Sequence, residues 1–424
     1  MTGRELVYQG LTQIEEKSGF SNLILKELLD VADPKDKGLI TALVYGVTRE
    51  RLFLDDQIGR YCDLKKTPLP LLRLLRMGAY QLLRMDRIPP SAAVNETVKL
   101  AKRIVPKGAG CCNGVLRKIA EQGEVPVSVE DRDSYLSIQY SIPLWLVKKW
   151  KKQFGESELE PLLKSFSEPP SGYVRINRKK ATVEQIKKEL PELEASAFTD
   201  GYLLPKGTNV EALSAWKEGR ITVMQPSSME ACRKAGVKKG MRVCDMCAAP
   251  GGKTMYLAEL MEHEGEITAW ELHPHRTELL RKNLERMDVT IVKTDCRDSC
   301  VYEERYLESF DVVVLDVPCS GLGVIGRKPE LKWQDPDRIR ELLPVQEQLL
   351  NNAGAYVKRG GRLLYSTCTL NKAENETMVT KFLEQHPEFS LEEEVGMRNL
   401  LPHRDGMGGF FIARLKKMSE ESNG

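Results

Sequence analysis

The chain lacks any apolar run approaching the 18 or so residues that a membrane span needs, and its N-terminus lacks the basic-then-apolar order of an export signal. A membrane-spanning or secreted protein is therefore not expected; a cytoplasmic one is. A surplus of one charge is missing as well. Lys and Arg number 63 against 61 Asp and Glu, a net charge of +2, so a globally basic nucleic-acid binder is excluded and only local patches remain open. Histidine is scarce, 5 in all, and forms no ligand cluster. The two common phosphate fingerprints, GxGxxG and GxxxxGK[ST], are absent from the one glycine loop that follows a predicted strand, which argues against a dinucleotide or a nucleoside triphosphate. Cysteine is not scarce. Ten cysteines without an export signal point to reduced thiols, not to a disulfide framework.

What is present has the texture of more than one domain, as 424 residues lead one to expect. Residues 1–140 read as helix throughout. Val7, Leu11 and Ile14 keep a helical stripe, as do Leu72, Leu75, Ala79 and Leu82, and then Val94, Val98, Ala101 and Val105. Ile88-Pro89-Pro90 stops one helix, and Ser91 is placed to cap the next. Residues 141–225 change character. A helix over Leu144 to Phe154 runs to a Glu168-Pro169-Pro170 break, and a strand from Tyr173 to Asn177 and a helix near Val183 to Leu190 complete a small α+β module. From 226 to 424, strands and helices alternate. Met241 to Asp245, Ile267 to Trp270, Thr290 to Lys293, Asp311 to Asp316 and Arg362 to Ser366 are the expected strands of a doubly wound parallel sheet.

Basic residues recur beside aromatics, a pattern that suits a phosphate backbone with unstacked bases but equally a solvated helix face. Lys99, Lys102 and Arg103 share one helix; Lys148, Lys149, Lys151 and Lys152 surround Trp150; Arg175, Arg178, Lys179 and Lys180 follow Tyr173.

The chemistry gathers in the last third. Cys247-Ala248-Ala249-Pro250-Gly251-Gly252-Lys253-Thr254 joins the first strand of the sheet to its helix, with small residues that let a ligand approach the backbone. Glu271 ends the next strand, twenty residues after Gly251 (271 − 251), where nucleotide-binding sheets place an acid for ribose hydroxyls. Two later strands close on cysteines, Asp316-Val317-Pro318-Cys319 and Ser366-Thr367-Cys368-Thr369. Ligands of open α/β sheets lie beyond the carboxyl ends of the strands, so both thiols should face one crevice. As isolated residues, either would more often be a small buried hydrophobe, which is where most free cysteines belong.

From about residue 221 onward the sequence resembles the RNA cytosine-C5 methyltransferases. Cys247 to Thr254 is similar to their cofactor loop, Asp316-Val-Pro-Cys319-Ser-Gly to their motif IV, and Tyr365-Ser-Thr-Cys368-Thr to their motif VI. Gly326-Arg-Lys-Pro-Glu-Leu-Lys-Trp333 and Asp405-Gly-Met-Gly-Gly-Phe-Phe411 also match family segments. Leu71-Leu-Arg-Leu-Leu-Arg-Met-Gly-Ala-Tyr-Gln-Leu-Leu83 and Ile88-Pro-Pro-Ser-Ala-Ala-Val-Asn-Glu96 resemble a NusB-like RNA-binding domain. The combination is similar to the RsmB (Sun/Fmu) family of 16S rRNA methyltransferases.

The resemblance implies a NusB-like helical bundle, a linking α+β module and a Rossmann-like class I catalytic domain. It also implies S-adenosylmethionine as cofactor, no metal, RNA (16S rRNA) as partner, and no obligate protein partner. It implies that Cys247, Ala248, Ala249, Pro250, Gly251, Gly252 and Lys253 contact the cofactor. Glu271 would hold the ribose, where the family usually has aspartate; Asp295 would lie near the adenine, and Asp316 near the methionine end and the target base. Cys368 would attack carbon 6 of the cytosine, turning carbon 5 into an enamine nucleophile, with Cys319, Asp316 and Lys253 assisting. The family commonly carries an acid after the glutamine that precedes the catalytic domain, and Gln225-Pro226-Ser227 departs from that.

Alternatives remain at this point. The same chemistry on tRNA is one; a non-catalytic NusB-like RNA-binding or assembly factor with a vestigial sheet is another, against which intact Lys253, Asp316, Cys319 and Cys368 argue. The DNA-type enzymes use a Pro-Cys nucleophile like Pro318-Cys319, so the two thiols could exchange roles. Cys244-Asp-Met-Cys247 with Cys296 and Cys300 has the count of a zinc site, but a metal there would obstruct the cofactor loop.

Overall fold

Leucine and valine at three- and four-residue spacing put one apolar stripe on each N-terminal helix, and stripes of that kind have to be buried against each other. In the computed structural model, which describes residues 1–17, 20–168, 171–205 and 207–419, they are. One compact unit comprises Met1–Pro169 and Ile325–Gln334; the other comprises Pro170–Val324 and Asp335–Gly424.

In the helical unit, Val7, Leu11, Leu43, Leu75, Ala79, Ala101 and Leu116 form one core from helices Gly3–Lys17, Lys37–Arg49, Leu69–Arg84, Pro90–Ile104 and Ala109–Gln122. Ser91 does not cap its helix. Pro89 is the capping residue and Pro90 the first helical one, since a proline there gives up no hydrogen bond and has its φ already set; Ser91 falls inside the first turn. Val105 ends that stripe as the C-cap, outside the helix. The Pro169-Pro170 break lies outside the described residues. Helix Leu144–Phe154 forms as expected and groups with this unit, as does Glu156–Ser165.

Segment Ile325–Gln334, which sequence order places amid the catalytic stretch, also belongs here. It closes the C-terminal end of helix Lys37–Arg49, where carbonyls lack intrahelical partners. Trp333 Nε1 donates to Thr48 O at 2.9 Å, Lys332 Nζ to Arg49 O at 2.6 Å, and Ser21 Oγ donates to Glu330 Oε2 at 2.6 Å. Burial lowers the Lys332 ammonium to a pKa of about 7.

The second unit carries two sheets. The smaller is antiparallel, in the order β2 (Glu194–Ala195), β3 (Tyr202–Leu203), β1 (Tyr173–Ile176), β4 (Ile221–Val223), with helix Val183–Glu189 started by a Thr182/Gln185 capping box. The larger has β5 (Arg242–Asp245), β6 (Glu266–Glu271), β7 (Val292–Cys296), β8 (Phe310–Asp316), β9 (Val357–Thr367), β10 (Phe389–Leu391), β11 (Met397–Leu400) and β12 (Phe410–Lys417). Its order is β10-β12-β9-β8-β5-β6-β7, with β11 pairing on β12.

The run β9-β8-β5-β6-β7 is parallel, as the strand–helix alternation predicts. The sheet is nonetheless mixed. β12 returns antiparallel to β9, and β10 and β11 pair antiparallel with β12. The Phe410–Lys417 run is buried on both faces because it is an interior strand, and the four-residue helix Pro402–Asp405 that separates it from β11 is too short for the crossover that a parallel strand needs.

The basic clusters resolve against nucleic acid at two positions. Trp150 is fully buried and stacks on Phe166, with ring centroids 5.6 Å apart, so it cannot receive a base. Arg175 is buried, ion-paired with Glu259 and set over the Tyr256 ring. Lys179 and Lys180 are drawn to backbone carbonyls, of Asp288 at 2.9 Å and of Arg286 at 2.7 Å. Those contacts hold the small sheet to helix Pro274–Met287.

Candidate active site

β8 and β9 run parallel with Asp316 in register with Ser366. That one register brings the two thiols together, because three residues past Asp316 and two past Ser366 the chain places Cys319 and Cys368. Their sulfurs lie 3.3 Å apart, both partly buried. Contact with Cys368, together with burial, pushes the Cys319 thiol well above the ordinary cysteine range.

Beside the thiols, Asp316 receives two bonds. Lys253 Nζ donates to Oδ2 at 2.6 Å, and Ser366 Oγ donates to Oδ1 at 2.8 Å. Burial works against the Lys253 ammonium, but the Asp316 carboxylate outweighs it and raises the lysine above its usual value. An ion pair with one protected face is the result. The Phe410 ring, 5.5 Å from Nζ, covers another side of it.

Lys253 is in the first turn of helix Gly252–Leu260, whose N-cap Gly251 has φ 104°, a left-handed conformation that a side chain would strain; a Cβ there would also meet Leu280 at 2.7 Å. The loop before it turns out of β5 at Asp245. That carboxyl is buried and its pKa raised to about 6 by burial, against the opposing hydrogen bond that Oδ2 accepts from Thr254 Oγ1 at 2.7 Å. Its Oδ1 is buried without a partner.

Across the loop, Glu271 at the end of β6 is only 3% exposed. Its Oε1 accepts from His273 N at 3.2 Å and Arg276 Nη1 at 3.3 Å, and neither bond uses Oε2. Asp295 is exposed on β7, opposite Trp270, with Cys296 opposite Glu271, so both acids sit at the same end of adjacent strands. Cys244 is buried within β5, where burial drives its thiol far up. Among the described residues no group of three His, Cys, Asp or Glu side chains is placed to hold a metal.

The two thiol loops are fastened to a third. Gly323 N donates to Cys368 O at 3.1 Å and Gly409 N to Gly323 O at 2.8 Å. A Cβ on Gly323 would come within 2.1 Å of the Gly409 carbonyl oxygen, which explains a glycine at each place.

Comparison with known proteins bears on this site directly. A family model described as 16S rRNA methyltransferase RsmB/F matches residues 236–416; the NusB family matches 1–121, and an RsmF/B-like ferredoxin-like domain 142–211. The chain is 34% identical to the protein named "Probable ribosomal RNA small subunit methyltransferase B" of Bacillus subtilis, over 98% of each. The chain belongs to the ribosomal RNA small subunit methyltransferase B family. A protein of the same family from Klebsiella pneumoniae is 32% identical, again over 98% of each chain. The solved structure titled "Crystal Structure of PH0851" superposes with a TM-score of 0.83 at 30% identity, covering 98% of each chain.

As a member of this family the protein is a methyltransferase, and the reading as a non-catalytic RNA-binding factor is set aside. No helix among the described residues is long and apolar enough to cross a membrane. Three residues of the site go beyond those that the sequence pattern picks out. Arg276 bridges Glu271 and the Ala249 carbonyl (Nη2 to O, 2.8 Å), Ser366 holds Asp316, and Glu374 lies fully buried behind both thiol loops. Ser366 stands within the Tyr365–Thr369 motif, two residues before Cys368, and that position is its signal; Arg276 and Glu374 have no local signal.

Proposed function

We propose that the protein methylates carbon 5 of a cytosine in 16S rRNA, with S-adenosylmethionine as methyl donor and Cys368 as covalent nucleophile. The observation that carries the reading is the pair of thiols held 3.3 Å apart beside a lysine-bound aspartate.

The residues present fit the cofactor. The open Gly251 turn, the helix N-terminus after it, and a buried Glu271 with Oε2 uncommitted offer a carboxylate seat and a ribose acceptor. Cys247 to Lys253, Glu271, Asp295 and Asp316 would hold the group. When bound, it supplies an electrophilic sulfonium methyl.

The protein's own work is then to make carbon 5 nucleophilic. Cys368 Sγ adds to carbon 6, and the electron pair of the carbon 5–carbon 6 double bond moves towards carbon 5 and the ring carbonyl, giving an enamine. A proton carried by the Asp316 carboxyl to the N3 edge would offset the charge that develops there, with Lys253 and Ser366 holding the carboxyl in place. After carbon 5 is methylated, its proton is lost to water. That C–H electron pair re-forms the double bond, the carbon 6–sulfur bond breaks, and Cys319 donates a hydrogen bond to the departing Cys368 sulfur. The cytosine must be unpaired or flipped for its face to be reached.

The three-part division at 1–140, 141–225 and 226–424 goes with this reading, the helical part serving RNA. So does a cytoplasmic location with no obligate protein partner.

The test is the mutant pattern. Cys368→Ala should be inactive and leave no covalent species, whereas Cys319→Ala should accumulate a protein–RNA adduct that survives denaturing electrophoresis, and the double mutant should form none. An adduct in Cys368→Ala and none in Cys319→Ala would reverse the roles. Mapping 5-methylcytosine in rRNA and tRNA from a deletion strain separates the 16S target from a tRNA one.

A further inference from the structure

Glu374 is fully buried, and neutral donors satisfy its carboxylate from three directions. Ser320 N donates to Oε1 at 2.9 Å and Gln346 Nε2 to the same oxygen at 3.0 Å, while Asn371 Nδ2 donates to Oε2 at 2.7 Å and Ser320 Oγ closes on Oε2. A buried carboxylate is costly unless it is bonded in this way, and an arrangement that satisfies it so fully holds its donors firmly.

The donors are not a random set. Ser320 follows Cys319, and its hydroxyl also meets Thr369 Oγ1 at 2.7 Å; Thr369 follows Cys368. Gln346, on helix Pro336–Tyr356, ties Glu374 to the Pro318 carbonyl at 2.9 Å, one residue before Cys319. The carboxylate thus reaches one residue to either side of Cys319 and, through one hydroxyl, the residue after Cys368.

We infer that Glu374 is a positioning residue that clasps the two thiol loops through Ser320 and Thr369 and so sets the Cys319–Cys368 separation on which adduct release depends. The consequence for release rests on the proposed roles of the two cysteines; the clasp itself does not. Without it, attack by Cys368 persists, since that thiol stays at the end of β9, but Cys319 no longer meets the departing sulfur.

Two variants probe it, with full-length protein. Ser320→Ala removes the hydroxyl that links Glu374 to Thr369 and leaves Glu374 three of its donors. Glu374→Gln keeps the shape but turns one acceptor into a donor facing donors. Both should accumulate protein–RNA adduct on the order of 10–100-fold above wild type, the effect expected for a reacting group displaced by about 1 Å. S-adenosylmethionine affinity by calorimetry should stay unchanged, which a merely structural lesion would not allow.

A second measurement does not depend on the reaction. With diamide, the two thiols give up two electrons and two protons and form a disulfide, the diamide being reduced to its hydrazine. Formation of the Cys319–Cys368 disulfide, followed by peptide mapping, should slow at least several-fold in Ser320→Ala. Wild-type disulfide rates in Ser320→Ala overturn the inference, as does a wild-type adduct level there when Cys319→Ala traps its adduct. Slowed disulfide formation with no adduct in Cys319→Ala upholds the clasp and sinks the cysteine roles instead.

Discussion

Two buried charge clusters, one in each unit, make an instructive pair. In the helical unit Arg73 and Arg76, both almost wholly buried, are filled by carboxylates. Arg73 donates to Glu15 at 2.6 Å and Glu16 at 2.8 Å, and Arg76 to Asp55 at 2.7 and 2.8 Å and Glu15 at 3.1 Å. These are the arginines of the NusB-like motif, and they are committed to protein, with their forks matched to carboxylates. In the sheet unit Lys253 donates one hydrogen bond, to Asp316, and the Phe410 ring lies against another side of its ammonium, so carboxylates do not fill it as they fill the two arginines. A closed cluster holds a fold, and an open one can act on something else. Motif resemblance alone does not tell the two apart.

Mutation should separate them. The largest effect expected is on activity. Lys253→Gln keeps a donor for Asp316, so we expect methylation to fall on the order of 10²-fold or more in single-turnover rate, with a smaller loss of stability, about 1–3 kcal/mol, for a carboxylate left without its charge partner. Arg76→Ala should do the reverse. It strands Asp55 and part of Glu15, costing about 3–5 kcal/mol in denaturant unfolding. If Arg76→Ala leaves the fold at full strength and lowers RNA affinity, that arginine is a phosphate contact after all and the contrast fails.

Asp245 sharpens the comparison, because it is an incompletely satisfied group in the sheet unit. Its folded pKa of about 6 lies above the ordinary 3.8. An acid raised in this way favours the fold while protonated, so its contribution is full below about pH 4 and disappears as pH rises through about 6. The difference, roughly two pKa units, corresponds to about 3 kcal/mol. Wild type minus Asp245→Asn stability, measured by urea unfolding, should fall by that amount between about pH 4 and pH 7. A flat difference would mean that the carboxyl is solvated or paired.

The smallest effect is at Glu271. Removing a buried acceptor of ribose hydroxyls in Glu271→Ala should weaken S-adenosylmethionine by about 1–3 kcal/mol in calorimetry, with little loss of RNA binding. Unchanged affinity would take the residue out of the site.

The sequence by itself determined a good deal. Helical spacing marked the N-terminal bundle, because a stripe every three or four residues leaves only one way to bury it. The alternation after residue 226 marked the parallel strands, and the loop from Cys247 to Lys253, with Asp316, Cys319 and Cys368, was legible because each lies at a strand end with its neighbours in sequence. Short range was the condition. Three things needed the tertiary structure. The antiparallel return of β12 depends on which strand it pairs with, and segment Ile325–Gln334 joins the helical unit through contacts with residues nearly three hundred positions earlier. Trp150 and Arg175 carry the composition of an RNA face and are buried, since composition does not say which side of a helix or strand meets the core. The clasp at Glu374 and the 3.3 Å between the thiols were beyond reach for the same reason. They arise from the registration of Asp316 against Ser366, and the pairing of strands fifty residues apart is set by the packing of the whole sheet, not by any local preference.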